Sequence, residues 1–172
     1  VLDGRSGEIV ALDDRLAPTA VVATGRVGAT GLAALPGGGF ALALPAEGEV
    51  ALVDAEGRPT RRIAGDAADP LRRPAGVAAW EGGLAVADAA TDRIRFFGLD
   101  GAERGSVGER GSSDGRFWAP AALVPLVLDA EGSLAVVDVG NHRVQLVRPD
   151  GSWRMSFGLG RAYTRPRDRD AN

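Results

Sequence analysis

The chain has 172 residues, 45% hydrophobic and 25% charged, which is enough for one domain with a real core and ordinary for a soluble globular protein. A net charge of −3 and a pI of about 5.2 speak against a nucleic-acid partner, because phosphate binding needs a basic footprint. Cysteine is absent, which excludes disulfides, thiolate metal sites and cysteine nucleophiles.

Twenty-five glycines are spread along the chain, a sign of many turns and many short strands. The longest apolar stretch, APAALVPLVL at 119–128, carries two prolines and is too short for a membrane span, which needs about 18 residues. No secretory leader is recognised at Val1, and a start without Met is read as processed or truncated.

In chain order the sequence divides into copies of one pattern. The first, over 1–25, is partial: GEIVALD at 7–13 matches GEVALVD at 48–54, an offset of 41. The register makes Asp3 the end of a second strand. The second copy, over 30–65, aligns with the third at an offset of 44, Val50 against Ile94 and Gly57 against Gly101. It has lost the polar landmarks, with Leu44 and Glu49 in their places.

The third copy, over 74–108, predicts four strands at 75–80, 83–88, 93–98 and 103–108. Leu84 and Val86 point to one side and Ala85 and Ala87 to the other, so the second strand is buried on both faces. The small alanine face suits the crowded region near an axis. In the third strand Ile94 and Phe96 share a face and Arg95 lies opposite, the mixture expected of an outer strand. The fourth copy, over 119–158, follows at an offset of 50: Leu84, Val86, Asp88 and Arg93 match Leu134, Val136, Asp138 and Arg143. Asp-Gly at 100–101 and 150–151 is a tight-turn signal. The spacing between Pro120 and Gly132 is stretched, which predicts a bulge or longer loop. Residues 161–172 read as a mixed-charge tail with Arg161, Arg165, Arg167 and Arg169.

Four-stranded repeats of about 40–50 residues suit propeller blades. The fold class expected is therefore all-β, a β-propeller of four-stranded antiparallel blades.

VADAATDRIRFFGLDG at 86–101 and VVDVGNHRVQLVRPDG at 136–151 resemble the NHL repeat. Asn141-His142-Arg143 matches its Asn-His-Arg motif directly, and Thr91-Asp92-Arg93 keeps only the Arg. The Phe157-Gly158 ending and the blade-opening Pro74 and Pro120 also fit. The resemblance implies a propeller that in this family is usually closed with six blades, of which about three and a half stand here. Blades before Val1 or a partner would complete the ring. An open arc exposes blade faces and sheet edges, which invites association.

The repeated pairs Asp88–Arg93 and Asp138–Arg143 are expected to hold second strand to third, with Asn141 and His142 as part of the same structural motif. The alternative is a polar ring at a channel mouth. His142 is the only histidine. Some NHL proteins resemble peptidylglycine amidating lyase, which uses histidine-bound zinc, and a catalytic zinc takes three protein ligands. One His and no Cys do not supply them, so no metal or other cofactor is expected of this chain. The loop GERGSSDG at 108–115 reads as an inter-blade connection, without a phosphate-loop lysine or a base beside Ser112 and Ser113. Partner-binding candidates are Arg61, Arg62, Arg72 and Arg73, read as one basic loop, with Trp118 and Trp153, since Trp and Arg are common interface anchors. Packing between blades is the other reading of Trp80, Trp118 and Trp153.

With no catalytic set in view, the expectation is a non-enzymatic scaffold that binds proteins, an accessory subunit of a membrane-associated extracytoplasmic assembly, with a periplasmic setting favoured over the cytoplasm. The alternative is a metal-dependent lyase- or lactonase-like propeller enzyme whose ligands lie in missing blades. RNA binding, known for some NHL domains, fits the acidic pI least.

Overall fold

The computed structural model describes residues 1–80, 82–126, 132–148 and 150–158. Within them the chain forms fifteen strands in four consecutive antiparallel sheets, with one 3-10 turn at Val139–Asn141. Blade I holds β1 (Leu2–Asp3), β2 (Glu8–Leu12) and β3 (Pro18–Ala23). Blade II holds β4 (Gly31–Ala34), β5 (Phe40–Leu44), β6 (Glu49–Val53) and β7 (Pro59–Ile63). Blade III holds β8 (Pro74–Trp80), β9 (Gly83–Asp88), β10 (Arg93–Gly98) and β11 (Glu103–Val107). Blade IV holds β12 (Pro120–Pro125), β13 (Leu134–Asp138), β14 (Arg143–Val147) and β15 (Trp153–Gly158). Strand order follows chain order in every sheet, the up-and-down pattern of a propeller blade. The strands of blade III stand within one residue of the positions expected.

The Asp-Gly turns form as the sequence demands. Gly101 and Gly151 adopt φ of 87° and 83°, left-handed values that glycine takes at no steric cost. Asp100 and Asp150 each accept the backbone N–H two residues on, at 3.1 and 2.8 Å. Blade IV opens on a bulge, but it is shared with blade III and does not account for the stretched spacing. The register shifts between Pro120 and Ala122, and the same shift lies between Pro74 and Gly76 of blade III. It belongs to the start of a blade, where Pro has no N–H for the ladder. The rest of the stretched segment, 127–131, and the tail 161–172 lie outside the described residues.

The core lies between sheets. One apolar cluster joins blades I and II through Ile9, Leu42, Leu44, Ala51 and Val53. A second joins II and III through Val50, Leu52, Val77, Leu84 and Val86. A third joins III and IV through Ala85, Ala87, Ile94, Phe117, Leu134 and Val136. None joins IV back to I among the described residues. Leu84 and Val86 thus face the preceding blade, and Ala85 and Ala87 face the following blade rather than an axis. The crowding falls on the first strands instead. A Cβ on Gly76 would stand 2.1 Å from the carbonyl oxygen of Ala121 in the next blade. Gly76→Ala is therefore expected to destabilise the protein by about 1–3 kcal/mol; urea unfolding at 25 °C measures it.

Arg95 departs from expectation. Its strand alternates as predicted, yet the residue is 1% exposed, because the crossover between blades II and III covers that face.

Candidate functional site

In each blade the second strand turns into the third at the same end where the chain crosses to the next blade. Ionic side chains gather at this crossover end. In blade IV, Asp138 is their hub and is fully buried. Its Oδ1 accepts the Trp118 N–H at 2.8 Å. Its Oδ2 accepts Asn141 Nδ2 and Arg143 Nε, both at 2.8 Å, and Gln145 Nε2 at 3.0 Å. These donors also reach the crossover from blade III. Arg143 Nη2 donates to the carbonyls of Ser113 and Arg116, Gln145 Nε2 to that of Arg116, and Asn141 Nδ2 to that of Gly111. One carboxylate thus orients three side chains that clamp the crossover 111–118. Buried carboxylates of this kind are tolerated because their lone pairs are satisfied.

Blade III is built differently. Arg93 stands opposite Asp88 in the ladder, but its guanidinium turns to Asp69 at 3.5 Å. Asp88 accepts the backbone N–H groups of Arg72 and Arg73 at 3.1 and 2.9 Å, and the cation that faces it is Arg95, at 3.9 Å. Arg95 Nε and Nη2 donate to Glu103 at 3.0 and 2.5 Å, and Nη2 also donates to the Asp69 carbonyl at 2.7 Å. Its guanidinium lies 5.5 Å from the Phe97 ring centroid. The Glu103 carboxylate holds the Arg95 pKa above its ordinary value against the opposing effect of burial. The expected Asp–Arg contact therefore forms in blade IV and not in blade III, where the arginine two residues on takes the place. The sequence reading took Arg95 only as the outer side of its strand and passed over Gln145, although the two match at the offset of 50 that reveals the blades.

His142 is exposed and left-handed, with φ of 53°. Asp92, its counterpart in blade III, is left-handed too, at 58°, and glycines 7 and 48 hold the position in blades I and II. Asp92 Oδ1 accepts the N–H of Ala119, itself at φ of 50°, at 2.7 Å. Three of the four non-glycine residues with positive φ among the described residues thus lie at this end. Each costs about 1–3 kcal/mol, and such strain concentrates at functional sites. Arg110 reaches Asp92 at 3.4 Å and stacks 5.4 Å over the Trp118 ring. Beside them opens a cleft of about 470 Å³ lined by Arg93, Glu109, Asp114 and Arg116, in which Arg116 pairs with Glu109 at 2.8 Å. Among the described residues no three His, Cys, Asp or Glu side chains converge as a metal site.

The basic residues read as one loop are separate. Arg61 donates to the Asp100 carbonyl in the turn of blade III at the opposite end, at 2.9 Å. Arg62 pairs with the buried Glu49. Arg72 and Arg73 lie in the crossover, and the Arg73 guanidinium donates to the Ala89 carbonyl at 3.2 Å. The two pairs lie on the outer strand and on the crossover that follows it, and their side chains serve different neighbours. Trp80 packs between blades, donating to the Gly132 carbonyl at 3.1 Å, with its ring 4.9 Å from Phe96. Trp118 is half-buried under Arg110, and Trp153 is partly exposed on blade IV, donating to Ser156 Oγ at 2.9 Å. No helix among the described residues is long and apolar enough to cross a membrane.

No protein-family model and no curated protein matches the chain. Solved structures do. The chain is similar to glutaminyl cyclase of Myxococcus xanthus over 95% of its own length and 70% of that chain, with a TM-score of 0.65 and 20% identity. It is similar to virginiamycin B lyase of Staphylococcus aureus over 94% of its length, with a TM-score of 0.61 and 10% identity. The same scores hold, over 90% of its length, for a catalytically inactive histidine-to-alanine variant of that lyase with quinupristin. The chain spans about half the length of the lyase chains. At this identity the likeness shows the propeller fold. It also corrects the expectation of a non-enzymatic scaffold: the absence of a catalytic set had carried that reading, whereas the solved propellers named above are enzymes.

Proposed function

We propose that the chain is an NHL-type arc of a propeller enzyme of the lyase or cyclase kind, acting on a peptide-like substrate at the crossover end. The observation that carries this is the left-handed position after the second strand. Glycine fills it in blades I and II, but Asp92 and His142 fill it in blades III and IV, placing a carboxylate and an imidazole where backbone strain must be offset. Histidine is the side chain that most readily exchanges a proton near neutral pH. His142 is assigned the proton transfer, and the cleft at the crossover end, lined by Arg93, Glu109, Asp114 and Arg116, is assigned the polar groups of the substrate. The inactive histidine variant of the lyase supports a histidine in this chemistry. Among the described residues no group of His, Cys, Asp or Glu side chains fits a metal site, and no step is routed through a metal.

The test is mass-spectrometric detection of product from glutaminyl peptides and from quinupristin. Wild-type protein is expected to convert one of them, and His142→Ala to lose about 10²-fold or more in kcat. No conversion of either compound, or full activity in the variant, overturns the reading.

A further inference from the structure

His142 has φ of 53° and ψ of 45°, a left-handed state that a residue other than glycine keeps only where its surroundings fix it. Asp92, its counterpart in blade III, is fixed by its own carboxylate. Oδ1 accepts the Ala119 N–H at 2.7 Å and Oδ2 faces Arg110 at 3.4 Å. Before His142, the 3-10 turn Val139–Asn141 is fastened to the crossover from blade III by two hydrogen bonds. Asn141 Nδ2 donates to the Gly111 carbonyl and the Gly140 N–H to the Trp118 carbonyl, both at 2.8 Å. The His142 N–H then closes the turn on the Val139 carbonyl at 3.1 Å.

The third hold on the turn is the indole of Trp118. A Cβ on Gly140 would stand 2.4 Å from Trp118 Cγ and 2.5 Å from Cδ2, so the Gly140 Cα lies directly against the ring. Only glycine fits there, and the turn has no room to move towards the indole. Arg110 lies 5.4 Å from the centroid of the same ring and reaches Asp92. Asp92, Arg110, Trp118 and Gly140 thus make one line of contacts from the left-handed position of blade III to that of blade IV.

We infer that Trp118 is a positioning residue for His142: its ring holds the turn that aims the imidazole. The main-chain N–H and carbonyl of Trp118 serve Asp138 and Gly140 and survive any change of side chain. Removing the ring therefore spares the buried Asp138 cluster and loosens the turn. Trp118 does not line the cleft, so substrate binding is spared as well. A misplacement of about 1 Å at a reacting group costs about 10²-fold in rate. That consequence rests on the proton transfer proposed for His142; the hold on the turn does not.

The experiment is a proton–carbon correlation spectrum of the full chain labelled at histidine. His142 is the only histidine, so its Cε1–H gives one signal. Trp118→Ala is expected to move that signal towards its position in the urea-unfolded chain, while circular dichroism shows the sheets intact. On whichever of the two compounds the wild type converts, this variant is expected to lose about 10²-fold in kcat with KM unchanged. Trp118→Phe keeps Cγ and Cδ2, the ring atoms that meet Gly140, and is expected to recover most of both. Arg110→Ala, at a side chain 70% exposed, is expected to move the signal the same way by less, and it decides the matter should Trp118→Ala fail to fold. An unmoved signal in Trp118→Ala, or in Arg110→Ala where only that variant folds, overturns the positioning role. So does a Trp118→Phe signal displaced as far as that of Trp118→Ala. The spectrum needs no turnover: a displaced signal in a protein that converts neither compound supports the hold on His142 and overturns the reaction alone.

Discussion

Asp138→Ala is expected to destabilise the protein by about 3–5 kcal/mol, the cost of removing one partner from a buried charge pair. Four donors lose their acceptor at once: the Trp118 N–H, Asn141, Arg143 and Gln145. The Arg143 side chain is 6% exposed, and its remaining carboxylate, Asp114, stands at 3.5 Å. Asp88→Ala is the internal comparison. Its acceptor serves backbone N–H groups, and Arg95 keeps Glu103, so about 1–3 kcal/mol is expected. Urea unfolding of the two variants gives the difference. A loss below 1 kcal/mol at Asp138, or a larger loss at Asp88, would show that the clamp on crossover 111–118 does not hold blade IV.

Phe117→Ala is expected to cost about 3–5 kcal/mol, the range for truncating a buried aromatic. Phe117 is fully buried and belongs to the apolar cluster between blades III and IV, although it lies in the crossover and not in a strand. Its ring fits against Gly108 so closely that a Cβ there would stand 2.4 Å from Cδ2. Deleting the ring therefore leaves a cavity lined by glycine and strand residues that cannot collapse into it. Hydrogen exchange should quicken in β12 and β13 before β5 and β6, because only the III–IV contact is weakened. Equal quickening throughout would mean that Phe117 supports the whole stack.

The blades were legible in the sequence because they repeat. Val86 and Val136, Asp88 and Asp138, and the two Asp-Gly turns fixed the period, and the period fixed the strands. Burial of Arg95 was not legible. Alternation says which side of a strand a residue takes, but only the path of the crossover decides whether that side meets water. Arg93 misled for a related reason. Facing Asp88 in the ladder brings the Cα atoms together, whereas a long guanidinium finds Asp69 instead. At the crossover end the His142 motif was visible, but its left-handed backbone and its correspondence with Asp92 were not. The functional expectation failed because a short list of reactive residues was read as absence of chemistry, while a propeller can distribute a site over several blades.

Strand order equal to chain order has a consequence for how the molecule forms. Every ladder joins strands that are adjacent in the chain, and every apolar cluster joins adjacent sheets. Loop closure is therefore brief at each step, and the rate of folding should be high for an all-β protein. Stability should behave as a sum of sheet terms and nearest-neighbour contact terms, as in other linear repeat arrays. A substitution at one contact should therefore be felt most in the two blades that share it.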